Sequence, residues 1–312
     1  MALRLRTGSR PRIGLALGAG GLRGLAHIGV IGVLEEAGIH ADVVAGTSAG
    51  AIVGALYACG WSAAAMRRLA KQLRPRDIFD SNLRPLPLLK MAAKAGLDAL
   101  HLPSGCLRAP MGVVPGRRLL RQLTRWTEGR QVGDTARPYI AVATVVETGE
   151  RAVFAPPELT DDAAATGMPS VACRGASVAL AARASSAIPG VFEPVPWQGR
   201  TLVDGGLVDN VPGDLLKAMG MDLVIGVALG LRGNEPERVD NVVEVVDQAV
   251  AIMINAMSRR DAVRGADVVV APAVPGLSLT RFDAVQATIA AGEAAAREAL
   301  PAIRAALEEL GA

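Results

Sequence analysis

Between residues 12 and 60 the chain twice lays out the same three pieces: a short apolar run, a glycine-rich break, and a stretch with apolar side chains at helical spacing. In the first unit, residues 12–18 read as a buried strand and the glycines of 18–24 break it. Residues 25–38 then carry Ile28, Ile31 and Leu34 on one side, with Gly38 as a helix stop. In the second unit, Val43, Val44 and Ala45 run into Gly46-Thr47-Ser48-Ala49-Gly50 and a small-residue helix ending near Gly60. Strand, glycine-rich turn and helix, repeated in this way, predict an α/β fold built on a parallel sheet. The same reading accounts for the 24 uncharged residues 43–66, which hydropathy alone would flag as a membrane span. Buried parallel strands are continuously apolar, so strand plus turn plus buried helix explains the stretch better than a span does.

Further strands are expected at 139–146, 151–154, 201–203, 223–229 and 267–271, and helices at 119–126, 177–186, 242–257 and 285–310. Residues 75–118 are broken by Pro75, Pro85, Pro87, Pro103, Pro110 and Pro115, with room for one short helix around 88–100, and read as an irregular excursion that could form a lid. No repeat or linker divides the rest. The expected organisation is a basic tail over 1–11 and one domain over 12–310.

Composition excludes several classes. With 51% hydrophobic residues the chain has ample material for a core, and its 35 glycines follow no fixed period, so neither a disordered nor a collagen-like chain is expected. Cys59, Cys106 and Cys173 share no metal-ligand spacing and cannot build a disulfide framework. The net charge of +3 hides an asymmetry: residues 67–130 sum to +10, against +2 for residues 1–66 and −9 for 131–312. That middle segment reads either as a solvated basic face or as one that meets an anionic surface. No nucleic-acid module or aromatic platform accompanies it, so nucleic acid is not an expected partner. The N-terminal basic residues precede no apolar signal segment, and the default expectation is a cytoplasmic chain, peripheral at the inner face of the membrane if the basic segment binds lipid.

The five residues 46–50 match a nucleophile elbow, in which Ser48 occupies a tight strand-to-helix turn and Gly46, Thr47, Ala49 and Gly50 leave room for strand and helix to approach. A serine nucleophile needs a base. His27 falls in the first turns of a core helix and reads as packed or capping, His40 sits in a loop, and only His101, from the irregular segment, is conceivable as a base. Asp204, at the end of a short apolar strand and followed by Gly205 and Gly206, is the stronger candidate, because ligands gather at the carboxyl ends of parallel strands. Taken alone, Asp-Gly-Gly is also a common turn. Gly18, Gly20 and Gly24 are spaced one residue too widely for a dinucleotide fingerprint, and Asp42 precedes the second strand instead of ending it. The other use for a glycine-rich strand-to-helix turn such as 18–24 is an oxyanion hole of backbone N–H groups, with Arg23 ordering the loop or meeting an anionic head group.

Together these three sites resemble the patatin-like phospholipase family, and in particular its compact bacterial members. Residues 20–24 match the oxyanion loop, 46–50 the elbow and 204–206 the Asp-Gly-Gly motif, with similar stretches at 184–192, 209–212 and 265–268. Ala19 departs from the additional glycine of many members. The resemblance implies a three-layer α/β/α sandwich with a mostly parallel central sheet. It also implies a lipid acyl hydrolase with a Ser48–Asp204 dyad, acting on an acyl-ester lipid without metal or cofactor. A regulatory or scaffolding protein that keeps the fold with little activity is the alternative.

Overall fold

The structure, a computed structural model, describes residues 10–80, 111–159, 166–230, 252, 255–261, 264–274 and 284–311. Its strands are β1 (Ile13–Leu17), β2 (Val43–Thr47), β3 (Gly112–Val114), β4 (Tyr139–Val145), β5 (Arg151–Phe154), β6 (Ser170–Ala172), β7 (Gly190–Phe192), β8 (Val195–Trp197), β9 (Arg200–Asp204), β10 (Leu223–Val227) and β11 (Val268–Val270). Its α-helices are α1 (Ala26–Glu36), α2 (Ala49–Ala58), α3 (Ala63–Gln72), α4 (Pro75–Ile78), α5 (Arg117–Trp126), α6 (Val178–Ser185), α7 (Gly213–Ala218) and α8 (Val285–Glu309). Among the described residues nine strands form one sheet with β11-β10-β1-β2-β4-β5-β6 in order and β9 and β8 added beside β4, while β3 and β7 pair separately.

Alternation along the strands sets the layers. Ile13, Leu15 and Leu17 of β1 and Val44 of β2 pack with α1, α3 and α8, whereas Ala16, Val43 and Ala45 pack on the opposite face with Leu215, Leu216 and Met219 at α7. On β4, Tyr139, Ala141 and Ala143 pack with α2 and α6, and Ile140 and Val142 join the α7 face. The sheet is thus covered on both sides, the three-layer α/β/α sandwich expected. Pairing is parallel through β11, β10, β1, β2 and β4, and antiparallel where β5 and β9 meet β4. The uncharged stretch 43–66 resolves into β2, a turn, α2 and the first residues of α3. No described helix is long and apolar enough to cross a membrane.

Strand β4 organises the site. On the edge away from β5 it pairs first with β2, in parallel, up to Thr47 opposite Val142. It then pairs with β9, antiparallel, beginning at Asp204 opposite Ala143. The two strands therefore meet end to end along one edge of β4. The expectation that Asp204 ends a strand holds, but that strand runs against its neighbour, and register on β4, not a shared carboxyl edge, brings it to Ser48.

The irregular segment 75–118 contains α4 and β3 at its described ends; a helix at 88–100 and His101 lie outside the described residues, as does Cys106. Three-residue strands such as β3 carry no periodic signal, and β3 forms only by pairing with β7. Of the helix expected at 242–257, the described residues 252 and 255–257 are helical, the latter within a stretch 255–261.

Candidate active site

The turn from β2 into α2 is forced by close approach. A Cβ on Gly46 would collide with the backbone at Gly50, and one on Gly50 with the carbonyl of Leu17 in β1. Ser48, between them, takes φ 55 and ψ −119, a conformation that L-residues adopt rarely and that functional turns retain. Its own N–H donates to Ser185 Oγ at 2.8 Å, and that hydroxyl in turn donates to Val142 O at 2.5 Å. Thr47 Oγ1 donates to Asp209 O at 2.9 Å. Ala49 opens α2, and Gly24 lies so close to it that a Cβ there would strike the Ala49 side chain.

Asp204 is buried, and its Oδ1 accepts from Gly206 N at 2.8 Å. Burial pushes its pKa up to about 6, against the pull of hydrogen bonds from the Ser48 side chain and Gly206 N–H. Gly205 fits because its Cα faces the Val142 carbonyl, with no room for a side chain. Serine and carboxylate are thus neighbours, one at each of the two strand ends that meet on β4.

Residues 21–25 form a short 3₁₀ turn, with Gly21 at φ +55. Gly21, Leu22 and Gly24 line the same pocket as Ser48. The Arg23 N–H is turned back onto Gly20 O at 3.1 Å, and the buried Arg23 side chain reaches the same carbonyl through Nε at 3.4 Å. Arg23 thus bonds within the loop, and its amide, expected among the oxyanion donors, is instead engaged by Gly20 O.

The pocket, a cavity of about 140 Å³ open to solvent, lies between Ser48 and an apolar wall that includes Ile52, Leu73, Phe79, Trp126, Phe192 and Val285. Ser48 and Ser186 are the hydroxyl-bearing residues of its lining. Leu73 and Trp126 are shared with a second, more polar groove that also includes Trp61, Gln72, Asp77 and Arg125. Among the described residues no group of three or more His, Cys, Asp or Glu is placed to hold a metal.

Ser185 and Asn210 carry weight that sequence reasoning did not assign, although both fall within the stretches 184–192 and 209–212. Asn210 accepts from Ala19 N through Oδ1 at 3.0 Å, and Asp209 N donates to Gly205 O at 3.0 Å. One short segment thus touches loop, elbow and Asp-Gly-Gly turn. Beneath it, the fully buried Arg151 donates through Nη1 to Asp209 Oδ2 at 2.7 Å and to Asp214 Oδ2 at 3.1 Å. Burial raises the Asp209 pKa and the Arg151 guanidinium draws it back. His27 is buried as expected but caps no helix: its Nε2 meets Gly18 O at 2.8 Å, and burial lowers its pKa to about 4.

A family model described as patatin-like phospholipase matches residues 15–217. An uncharacterized NTE family protein of Mycobacterium bovis is 35% identical over 228 residues, covering 73% of this chain and 52% of its own. Patatin-like phospholipase domain-containing protein 6 of Homo sapiens is 30% identical over 220 residues, which cover 70% of this chain and 13% of that protein. The chain thus spans about half the length of the mycobacterial relative and a small part of the human one. Among solved structures, VipD from Legionella pneumophila aligns over 95% of this chain and 67% of its own, at 15% identity and a TM-score of 0.49.

Proposed function

Since the chain belongs to the patatin-like phospholipase family, we propose that it hydrolyses acyl esters of lipids with Ser48 as nucleophile and Asp204 as general base. The observation that carries this reading is a strained, buried serine that lines an apolar pocket and has a buried carboxylate beside it, close enough for the serine side chain to lower the carboxylate's pKa. Ser48 Oγ adds to the ester carbonyl as its proton passes to Asp204, and the Gly20, Gly21 and Leu22 amides and the α2 N-terminus receive the oxyanion. The leaving alcohol takes the proton from Asp204. Water, deprotonated by the same carboxylate, then cleaves the acyl-enzyme. An alkyl fluorophosphonate should label Ser48 and no other residue; absence of labelling in folded protein favours the scaffolding role instead.

The Asp204 pKa of about 6 sets the pH dependence. The ionised form is the base, so kcat/KM should climb as pH rises through about 6 and level off above it. A flat profile across that range, with the fold intact, would exclude Asp204 as the base.

Apolar walls suit the acyl chain, and Leu73 and Trp126 would close its far end. Trp126→Ala joins the pocket to the neighbouring groove, while the Trp126 carbonyl that receives Trp61 Nε1 at 3.1 Å remains. Each further methylene buried is worth about 0.8 kcal/mol, about fourfold in kcat/KM. Over p-nitrophenyl esters from butyrate to palmitate, the variant's optimum should therefore move to longer chains; an unmoved optimum would assign the limit elsewhere.

The rim of the pocket supports a lipid surface as the site of action. α3, α4 and α5 turn Leu73, Ile78, Leu119 and Trp126 toward the pocket and leave Arg68, Lys71, Arg76, Arg121 and Arg125 exposed. Such a cationic collar should bind vesicles in proportion to their anionic lipid content and release them as salt rises. Co-sedimentation indifferent to both would remove the membrane from the proposal.

A further inference from the structure

The peptide between Gly18 and Ala19, which leads β1 into the glycine loop, is held at both of its polar atoms by side chains from elsewhere in the chain. On one side His27 Nε2 lies 2.8 Å from Gly18 O. A carbonyl only accepts, so Nε2 carries the ring proton and Nδ1 is left as an acceptor. That Nδ1 is buried with no hydrogen-bond partner. On the other side Ala19 N donates to Asn210 Oδ1 at 3.0 Å, with Asn210 O also near at 3.3 Å.

Neither arrangement is what packing alone selects. His27 sits among Ile28, Val30 and Ile31 in a helix where an apolar side chain would leave no orphaned nitrogen. Neither His27 nor Asn210 lines the pocket, and the contact that each makes at the start of the glycine loop is with the peptide they grip. With that peptide plane fixed, the chain enters the turn in one orientation, reinforced by Arg23 N–H closing on Gly20 O at 3.1 Å. Donors that are aimed before charge develops need no reorganisation at the moment of reaction.

We propose that His27 and Asn210 are positioning residues that clamp the Gly18–Ala19 peptide and so aim the Gly20, Gly21 and Leu22 amides at the tetrahedral oxyanion. The clamp rests on the hydrolase reading for its purpose, but its effect on the loop stands apart from activity.

The test takes His27→Leu and Asn210→Ala, on opposite sides of the peptide, with His27→Gln restoring a donor toward Gly18 O. Three readouts are needed: amide hydrogen exchange over 18–24, kcat and KM on a p-nitrophenyl ester, and affinity for a long-chain alkyl trifluoromethyl ketone. That ketone adds Ser48 Oγ at its carbonyl, gives the serine proton to Asp204 and leaves an alkoxide in the oxyanion hole. Expected are faster exchange confined to the loop and kcat lower by about 10- to 100-fold, below the cost of deleting an oxyanion donor outright. Ketone affinity should weaken in parallel, KM should stay within about twofold, and Gln should recover much of the loss. Asn210→Ala should give the smaller effect, because Asn210 O remains beside Ala19 N. Loop exchange, kcat and ketone affinity all unchanged in either folded variant would overturn the clamp. If wild type neither turns over ester nor binds the ketone, the hydrolase reading fails, and loop exchange alone then upholds or rejects the clamp.

Discussion

Ser48→Ala and Asp204→Asn are each expected to lower turnover of a p-nitrophenyl acyl ester by about 10⁴-fold or more, with circular dichroism intact. The two losses should not multiply in the double variant, because each removes the same proton transfer. Asp204→Asn carries a second signature. Burial raises the folded-state pKa of Asp204 from 3.8 to about 6, so the native fold favours its neutral form. The stability held by such a group is complete below its unfolded pKa and is lost as pH rises through the folded value. The full loss is on the order of 3 kcal/mol. Asparagine is spared it, so at neutral pH Asp204→Asn should unfold at higher denaturant than wild type while being inactive. A variant that keeps turnover in either position would sink the dyad, and one that loses both activity and stability would point to a structural carboxylate.

Arg151→Met should have the largest effect on stability. Arg151 is fully buried on β5, with Asp209 and Asp214 as charged partners and a bond from Nε to Ser170 Oγ at 3.2 Å. Removing one member of a buried ion pair leaves the other charge without compensation, at about 3–5 kcal/mol. The deficit has a pH sign. Without the guanidinium, burial holds the Asp209 pKa higher still, so the carboxyl protonates more readily in the native state. The penalty therefore shrinks as pH falls and is greatest above neutrality, which denaturant titrations across that range would measure. Adding Asp209→Asn should recover part of the loss by removing the stranded charge. An Arg151→Met protein as stable as wild type at alkaline pH would mean that the cluster is solvated. Because Asp209 holds Thr47 through its carbonyl and Gly205 through its amide, activity should fall before global unfolding does.

Much of the site was legible in the sequence because its signals are local. The elbow is five contiguous residues whose small neighbours are dictated by a single turn, and β1, β2, β4 and α2 are long enough to show their apolar runs. Asp204 stands out as a candidate from its own neighbourhood, but the reason it lies near Ser48 is the pairing of two strands with a third. What stayed hidden acts across distance. Ser185 is 137 residues from the backbone amide it holds, and Asn210 is 191 residues from Ala19. Nothing in the local pattern of a serine ending a small-residue helix distinguishes such a role from solvent contact. His27 read as a buried side chain, and it is one; only the position of the Gly18 carbonyl shows that its ring is tied to the loop.

The meeting of β2 and β9 on one edge of β4 makes the gap between serine and carboxylate a length measured along a single backbone. A ruler of that kind does not stretch when the outer layers are rebuilt. Substitutions in the α1–α8 contact can lower the melting temperature while the gap between Ser48 and Asp204 keeps its width, so durability and turnover become separately adjustable traits. The complementary weakness is equally specific: one residue inserted in β4 between Val142 and Ala143 would part the two strand ends in a protein whose helices still pack.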